Sequence, residues 1–380
     1  MSAACAIGTG LDELRRGLLS ARSGLAPADF GTPFPTVCGA LPVEPPALPA
    51  RLAAYDCRQG RLAHAVADAL APAAEGACAR WGADRVGVVV GTSTGGVAAT
   101  EAALATFATT GELPQTYDLA RQHAMDATVA LVRARTGARG PGLVVSTACS
   151  SSGKVFATAR RWLNMGLVDA VIVGGVDTLC ELTLRGFHAL EVLSPHPCRP
   201  FCADRQGINL GEAGALLLLE REGEGPARLL GVGESSDAHH MSAPHPEGAG
   251  ARAAMAAALS DAGLCPADVG HVNAHATGTV LNDAAESRAI ADLLGASVPV
   301  LGTKGLTGHT LGAAGALEAV LTVACMDAGA LPPTVGAVPV DPELGVNVVT
   351  EPHDVAGRVA LSNSFAFGGS NVCVALGGPR

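Results

Sequence analysis

The sequence predicts an α/β protein whose sheets are covered by helices on both faces. Short, continuously apolar strands alternate with Ala-rich helices along most of the chain, which is the pattern of buried sheets. Hydrophobic residues make up 48% of the 380 residues and charged residues only 16%, so a large packed core is expected. Because this length exceeds that of one simple core, we expect two structural units or one large duplicated layer structure.

The predicted elements have a similar order in the two parts of the chain. An Ala-rich helix over Arg61–Ala79 precedes the first clear strand. The segment Gly223–Pro226 is the best linker, and it divides the chain into halves of residues 1–225 and 226–380. The predicted strands are Val86–Val90, Leu143–Ser146, Ala170–Val173, Leu216–Glu220, Arg228–Val232, Val269–Ala274, Val298–Leu301, Val359–Ser362 and Val372–Ala375.

The composition argues against several classes of protein. A net charge of -10 and an aromatic content of 3% disfavour a nucleic-acid-binding protein. No uninterrupted apolar run approaches the ~18 residues that span a bilayer, and the N-terminus lacks a secretion signal. The eleven cysteines form no CxxC pair, which favours a reducing cytoplasm over a disulfide framework. Cys198 and Cys202, beside His196, match no standard metal spacing, so neither a metal nor a cofactor is expected.

Cys149 is the candidate nucleophile. It lies between the apolar strand Leu143–Ser146 and a helix whose apolar residues, Val155 to Leu163, recur at helical spacing. At such a turn the sulfur faces the unpaired N–H groups and positive end of the helix, which favour the thiolate. Most of the other cysteines are expected to be small buried hydrophobes.

Two histidines each follow a predicted strand within a loop of small residues. His275 lies in the segment 273–279, Asn-Ala-His-Ala-Thr-Gly-Thr, and His309 lies in the longer loop 302–315. A single histidine at a strand end is more often a packed, hydrogen-bonded residue than a catalyst. The presence of both histidines together with Cys149 favours a catalytic set.

The motifs around these three residues occur in order with the C-terminal segment 363–371, Asn-Ser-Phe-Ala-Phe-Gly-Gly-Ser-Asn. Together they resemble the β-ketoacyl-acyl-carrier-protein (ACP) synthases of the KAS I/II type, over almost the whole chain. Within that family, the segments 234–246 and 362–369 look most like the synthases of aryl polyene clusters. The resemblance implies a thiolase fold, with two similar βαβαβαββ halves in α/β/α/β/α layers. It also implies a homodimer, or a heterodimer with a related ketosynthase-like subunit.

The resemblance assigns a role to each candidate residue. Cys149 would take an acyl group from the phosphopantetheine thioester of an acyl carrier protein, with the backbone N–H groups of Cys149 and Phe367 as the oxyanion hole. His275 and His309 would hydrogen-bond the thioester oxygen of malonyl-ACP and stabilise the enolate that is left when carbon dioxide departs. The residue chemistry agrees, since decarboxylation needs a dry pocket with donors aimed at one oxygen.

Four charged residues match supporting positions of the family. Lys304 is expected to form a structural ion pair with Glu318 and to position His309, with a general-base role as the weaker interpretation. Asp283 and Glu286 follow His275 on a helical segment at three-residue spacing. They match acidic positions of the family, and solvated helix charges are the alternative.

Other matching residues are candidates for binding the carrier protein and its arm. Thr277 and Thr279 resemble the pair that hydrogen-bonds phosphopantetheine, with strand-end capping as the alternative. Arg58, Arg199 and Arg205 are candidates for docking the acidic carrier protein. Ordinary surface ion pairs would produce the same sequence pattern.

Several positions depart from the family pattern. Ala276 and Ala366 replace the usual glycines, and Ile208 replaces an aromatic residue, so loop motion and the width of the acyl tunnel are expected to differ. The chain begins with Met1–Ala4 where relatives have already formed a strand and a Gly-containing turn. Either the start is placed late, or the sheet has lost one strand.

Two other functions compete with the condensing enzyme. A biosynthetic thiolase would need a second reactive cysteine near the C-terminus in a Cys-x-Gly setting, but Cys373 lies within an apolar strand. A non-catalytic partner subunit that resembles a chain-length factor would share the fold but usually lacks the nucleophile. The presence of Cys149, His275 and His309 together favours the enzyme.

Overall fold

The computed structural model describes residues 1–355, 357 and 359–379. The helices are α1 (Leu11–Leu19), α2 (Arg58–Trp81), α3 (Val97–Thr110), α4 (Asp126–Thr136), α5 (Ser151–Asn164), α6 (Glu181–Ala189), α7 (Ala249–Ala262), α8 (Val280–Leu294), α9 (Lys304–Thr307) and α10 (Ala314–Ala328). The strands are β1 (Ser2–Cys5), β2 (Gly8–Thr9), β3 (Ala26–Pro27), β4 (Val37–Cys38), β5 (Val86–Gly91), β6 (Gly142–Val145), β7 (Ala170–Asp177), β8 (Ala213–Glu220), β9 (Arg228–Ser236), β10 (His271–Ala274), β11 (Pro299–Gly302), β12 (Ala330–Leu331), β13 (Asn347–Val348), β14 (His353–Asp354), β15 (Val359–Ala366) and β16 (Ser370–Gly377). Every strand predicted from an apolar run is present.

The first large sheet has the strand order β2-β1-β8-β7-β5-β6. Strand β5 pairs in parallel with β6 and β7, whereas β8 runs antiparallel to both β7 and β1. All six residues of β5 are buried, because α2 and α4 cover one face of the sheet and α5 covers the other. A strand covered on both faces is a continuous apolar run rather than an alternating one.

The second large sheet repeats this arrangement, in the order β13-β11-β10-β15-β16-β9. Here β10 pairs in parallel with β11 and β15, and β16 runs antiparallel to both β15 and β9. Strands β9, β16, β15, β10 and β11 therefore correspond to β1, β8, β7, β5 and β6. Helix α7 packs on the outer face of this sheet. The repeated topology and the layers are those of the predicted thiolase fold, while the division at residues 225 and 226 stays a prediction.

Helices α5 and α10 form the layer between the two sheets. They approach closely at two glycines, because a Cβ atom on Gly315 would lie 2.6 Å from the backbone nitrogen of Gly153. A Cβ atom on Gly153 would in turn lie 2.5 Å from a methyl group of Val372 in β16. Only residues without a side chain allow this spacing.

Within the described residues, one helical stretch, Leu311–Ala328, has the length and apolar composition of a membrane-spanning segment. It is 78% buried inside the protein, where α10 contacts both large sheets. These contacts identify it as a core helix.

Of the two alternatives for the N-terminus, the one in which the sheet has lost a strand is wrong. Residues Ser2–Cys5 form β1, which pairs antiparallel with β8 from Ser2 opposite Leu216 to Cys5 opposite Ala213. All four residues are buried, and the Ser2 hydroxyl donates to the carbonyl of Val66 at 2.7 Å. Serine, alanine and cysteine are not typical strand residues, so the pairing and burial impose the strand.

Candidate active site

Cys149 lies in the tight turn between β6 and α5. The preceding residue, Ala148, has a positive φ of 51°, a conformation that non-glycine residues rarely adopt. The hydroxyl groups of Ser93 and Ser151 donate to the Ala148 carbonyl at 3.0 and 2.5 Å. These bonds hold the turn in its strained conformation and fix the position of the cysteine.

Asp177, at the end of β7, holds the loop that faces this turn. Its carboxylate is fully buried and accepts hydrogen bonds from the Thr92 hydroxyl at 2.6 Å and from the backbone N–H groups of Ser93 and Thr94 at 2.9 and 3.0 Å. Burial raises the pKa of Asp177, and these hydrogen bonds oppose that rise. The sequence analysis missed this residue, although an acid that ends an eight-residue apolar strand is a recognisable signal.

The structure brings the three predicted catalytic residues together. Nε2 of His309 lies 2.8 Å from Sγ of Cys149, and the rings of His275 and His309 meet edge to face with centroids 5.2 Å apart. Burial, followed by the charge of Lys304, lowers the pKa of both histidines well below 6.5. Both imidazoles are therefore neutral near pH 7.

Lys304 contacts His275 rather than His309. Its Nζ lies 3.3 Å from Nδ1 of His275 and also donates to the His275 carbonyl and to Glu318. An ammonium group can only donate, so Nδ1 of His275 accepts and Nε2 carries the proton. The predicted ion pair with Glu318 is present, and burial raises the pKa of Glu318 to about 7. The expectation that Lys304 positions His309 is corrected, because its side chain contacts the other histidine.

The environment of the Cys149 sulfur differs from the one expected at a helix N-terminus. The residue is only 6% exposed, and this burial raises the pKa of the thiol to about 12. The charge of Lys304 and the backbone N–H groups of Cys149 and Phe367 oppose the rise. The thiol form therefore prevails near pH 7. Both N–H groups face the sulfur of Cys149.

Asp283 and Glu286 are fully buried, so the alternative that they are solvated helix charges is wrong. Glu286 accepts the backbone N–H groups of His275 and Ala276, both at 2.8 Å. Asp283 accepts the N–H groups of Phe201 at 2.8 Å and Gly278 at 3.2 Å. Burial raises the pKa of both acids. Each carboxylate holds backbone near His275 without lining the reaction cavity.

A cavity of about 290 Å³ opens onto the three catalytic candidates. Thr277 and Thr279 line it with hydroxyl groups 2.9 Å apart, and Thr279 also caps α8 by accepting the Asn282 N–H at 3.4 Å. Ile208 and Phe367 form part of the apolar wall. The ring of Phe367 stacks on Phe187, with centroids 5.5 Å apart, and both rings line the cavity.

The three arginines predicted to dock a carrier protein form ion pairs within the chain. Arg58 donates to the buried Glu212 at 2.8 Å, and Arg205, which is 8% exposed, donates to Asp341 at 2.7 Å. Arg199 donates to Asp204 at 2.5 Å and to the carbonyl of Gly336 at 3.2 Å. Their docking role stays a prediction, and any free positive charge that they offer is reduced by these partners.

No cluster of three or more His, Cys, Asp or Glu side chains with metal-binding geometry occurs among the residues that the structure describes. Sγ of Cys198 donates to the Lys304 carbonyl at 3.3 Å, and Sγ of Cys202 donates to the Pro339 carbonyl at 3.1 Å. Both thiols therefore make internal hydrogen bonds to backbone.

Comparisons with protein families cover most of the chain. The model of the β-ketoacyl synthase N-terminal domain matches residues 49–224, and that of the C-terminal domain matches residues 226–337. A 3-oxoacyl-[acyl-carrier-protein] synthase 2 of Mycobacterium tuberculosis is 42% identical over 248 residues, which cover 61% of this chain and 60% of the relative. The match thus spans about three fifths of such mycobacterial relatives. Nodulation protein E of Rhizobium meliloti is 34% identical, with 99% of this chain and 97% of that protein covered.

Solved structures give matches over almost the full length. A ketosynthase (ApeO) of Xenorhabdus doucetiae, in complex with its chain length factor (ApeC), has a TM-score of 0.94 and 39% identity, covering 99% of this chain and 96% of that chain. The ishigamide ketosynthase/chain length factor has a TM-score of 0.89 and 30% identity, covering 100% and 98%. With both family domains matched in order and the fold shared throughout, the chain belongs to the β-ketoacyl synthase family.

Proposed function

We propose that this protein is a β-ketoacyl-ACP synthase that catalyses a decarboxylative Claisen condensation. The main support is the position of Sγ of Cys149, 2.8 Å from the neutral imidazole of His309 and in one cavity with His275. A nucleophile next to two imidazoles, in a pocket walled by Phe367 and Ile208, suits condensation better than hydrolysis, which needs water at the acyl-enzyme.

In the first half-reaction, Cys149 takes the acyl group from acyl-ACP. His309 accepts the thiol proton, and the sulfur forms a bond to the thioester carbonyl carbon. The N–H groups of Cys149 and Phe367 stabilise the oxyanion. Collapse of this intermediate breaks the bond to the phosphopantetheine sulfur, which leaves as a thiol with the proton from His309. The product is acyl-Cys149 and free carrier protein.

In the second half-reaction, malonyl-ACP loses carbon dioxide in the same cavity. The N–H at Nε2 of His275, fixed by the Lys304 contact at Nδ1, donates to the malonyl thioester oxygen, and His309 stabilises the same oxygen. The electron pair of the broken C–C bond forms the enolate. Its carbon then attacks the acyl carbonyl, the bond to Cys149 breaks, the sulfur takes up one proton from solvent by way of His309, and β-ketoacyl-ACP leaves. The cavity hydroxyl groups of Thr277 and Thr279 suit the amides of the phosphopantetheine arm.

We also propose that the protein acts in the cytoplasm, in aryl polyene biosynthesis, as one subunit of a heterodimer with a chain-length-factor-like partner. The similarity to a ketosynthase whose structure was solved in complex with its chain length factor supports this partner. The edge strand β6 supports it as well, because Leu143 is 44% exposed there and Leu104 and Phe107 of α3 are 55% and 48% exposed. An open sheet edge and exposed apolar side chains are both features that favour a protein partner.

The decisive experiment is mass spectrometry of the protein after incubation with acyl-ACP and then malonyl-ACP. We expect an acyl adduct on Cys149 that disappears as β-ketoacyl-ACP forms, no adduct in Cys149→Ala, and in His309→Ala an adduct that forms more slowly and then persists. Cys373→Ala is the control, because Cys373 is a buried thiol in β16 with no proposed role. Folded protein that takes no acyl group, alone or with its partner subunit, would instead identify the chain as a non-catalytic partner.

A further inference from the structure

Apart from Cys149, the imidazole of His309 has no hydrogen-bond partner among the described residues. Its Nε2 faces Cys149, whereas Nδ1 is buried and has no hydrogen-bond partner among the described residues. His275 differs, since Lys304 lies 3.3 Å from its Nδ1. The ring of His309 is therefore placed by its backbone and by packing, so whatever fixes that backbone also fixes the distance to the sulfur.

Asn209 and its neighbours fix the backbone of His309. The N–H of His309 donates to the Asn209 carbonyl at 2.7 Å, and the His309 carbonyl accepts the N–H of Gly211 at 2.9 Å. The two segments thus form a parallel bridge between Leu210 and His309. This short bridge fixes the position of the His309 backbone relative to Cys149.

The side chain of Asn209 anchors this bridge to the neighbouring loop. It is 1% exposed, its Oδ1 accepts the N–H of Cys198 at 2.6 Å, and its Nδ2 donates to the Ser194 carbonyl at 3.0 Å. The thiol of Cys198 continues the chain of contacts by donating to the Lys304 carbonyl at 3.3 Å. One buried amide therefore links the backbone under His309 to the residue that orients His275.

We propose that Asn209 is a positioning residue that holds both histidines in register with Cys149. This inference rests on the proposed condensing function. An amide suits the task because it presents one acceptor and one donor in a fixed plane, matching one N–H and one carbonyl four residues apart. A carboxylate or an apolar side chain of similar size satisfies only one of these groups or neither.

The test is a comparison of Asn209→Val, Asn209→Asp and wild type in condensation kinetics and in thiol reactivity. A histidine displaced by about 1 Å costs up to roughly 100-fold in rate, so we expect kcat to fall by about tenfold or more in Asn209→Val. KM for malonyl-ACP should change by less than about twofold, because the cavity hydroxyl groups are untouched. Alkylation of Cys149 by iodoacetamide should shift to higher pH, since His309 no longer accepts the thiol proton in place.

Ser194→Ala is the matched control, because it removes a hydroxyl that accepts the His196 N–H at 3.2 Å in the same loop but keeps the carbonyl that Asn209 contacts. We expect its kcat and its alkylation profile to match those of wild type. If Asn209→Val does not fold, Asn209→Asp decides, because it keeps the acceptor for Cys198 and loses the donor to Ser194. For Asn209→Asp we expect a smaller fall in kcat and a smaller shift of the alkylation profile to higher pH.

The outcomes separate this inference from the proposed function. A folded Asn209 variant with a lower melting temperature but wild-type kcat and alkylation profile would make the residue merely structural and overturn the inference. Wild-type protein that never condenses would overturn the proposed function. In that case the alkylation profile still reports the contact of His309 with Cys149, and an unchanged profile in both Asn209 variants would reject the anchoring role as well.

Discussion

Replacing Glu286 by glutamine removes the carboxylate that closes the loop behind His275. Glu286 is surrounded by donors, since it accepts the N–H groups of His275 and Ala276 at 2.8 Å and the side-chain amide of Asn363 at 3.1 Å. The loop it holds is strained, because Ala276 has a φ of 44°. Glutamine has one acceptor oxygen and one NH₂ group, so at least one backbone N–H must face another donor.

The expected size of the effect follows from this count. Losing one buried hydrogen bond to a charged acceptor costs about 1.5–3 kcal/mol, and the N–H left unpaired adds to that loss. We therefore expect Glu286→Gln to lower the free energy of unfolding by about 2–4 kcal/mol. The loop carrying His275 also shifts, so kcat for condensation should fall by about tenfold or more at saturating substrate.

Denaturant unfolding and steady-state condensation assays measure the two effects. Asp292→Asn is the control on the same helix, α8, because its side chain is 48% exposed and its ion pair with Arg252 is 3.7 Å long. That variant should change stability by less than about 1 kcal/mol and leave kcat unchanged. If Glu286→Gln unfolds at the wild-type midpoint and condenses at the wild-type rate, the carboxylate does not hold the loop and the reasoning fails.

Three further changes have expected outcomes. Gly315→Ala places a methyl group against the backbone of Gly153 and should lower the free energy of unfolding, measured by chemical denaturation, by about 1–3 kcal/mol. An unchanged midpoint would mean that α5 and α10 separate freely. Asp177→Asn should cost about 2–3 kcal/mol and slow acylation of Cys149, and wild-type acylation would show that the facing loop needs no carboxylate. Burial lowers the pKa of His271 to about 4 in the folded protein. In the unfolded chain the same imidazole has a pKa of about 6.5, so between these two values the unfolded state binds more protons. The free energy of unfolding therefore falls as the pH falls from about 6.5 to about 4. Between pH 7 and 5, wild type should lose about 2 kcal/mol more than His271→Leu, and equal losses in urea titrations would contradict the assignment.

The strands were predictable wherever the sequence forms a continuous apolar run, as in Val86–Gly91, because burial on both faces leaves no polar position. The exception is β1. Its residues, Ser2–Cys5, have little preference for strands, and they adopt one because β8, more than 200 residues later, supplies the partner. Such a contact cannot be read from local sequence.

The site likewise contains some features that local sequence predicts and others that only tertiary contacts determine. Cys149, His275 and His309 were predictable because each stands at a strand end within a recognisable motif. Their surroundings were not, since the direction of the Lys304 side chain and the burial that raises the pKa of Cys149 depend on tertiary packing. Asn209 was not predicted, because an asparagine between apolar residues looks like a turn residue in sequence and only the structure shows its hydrogen bonds to Cys198 and Ser194.

The duplicated architecture divides the chemistry between its two sheets. The proposed nucleophile, Cys149, follows a strand of the first sheet and both imidazoles follow strands of the second, so the proposed reaction centre needs both sheets. Expressed as separate fragments, the repeats would be inert until they reassembled. The distance of 2.8 Å between Sγ of Cys149 and Nε2 of His309 thus depends on how the two repeats pack together, and a change in that packing would change kcat. Gly153 and Gly315 allow α5 and α10 to approach closely between the two sheets. A bulkier residue at either position is therefore expected to lower kcat by moving Cys149 and His309 apart.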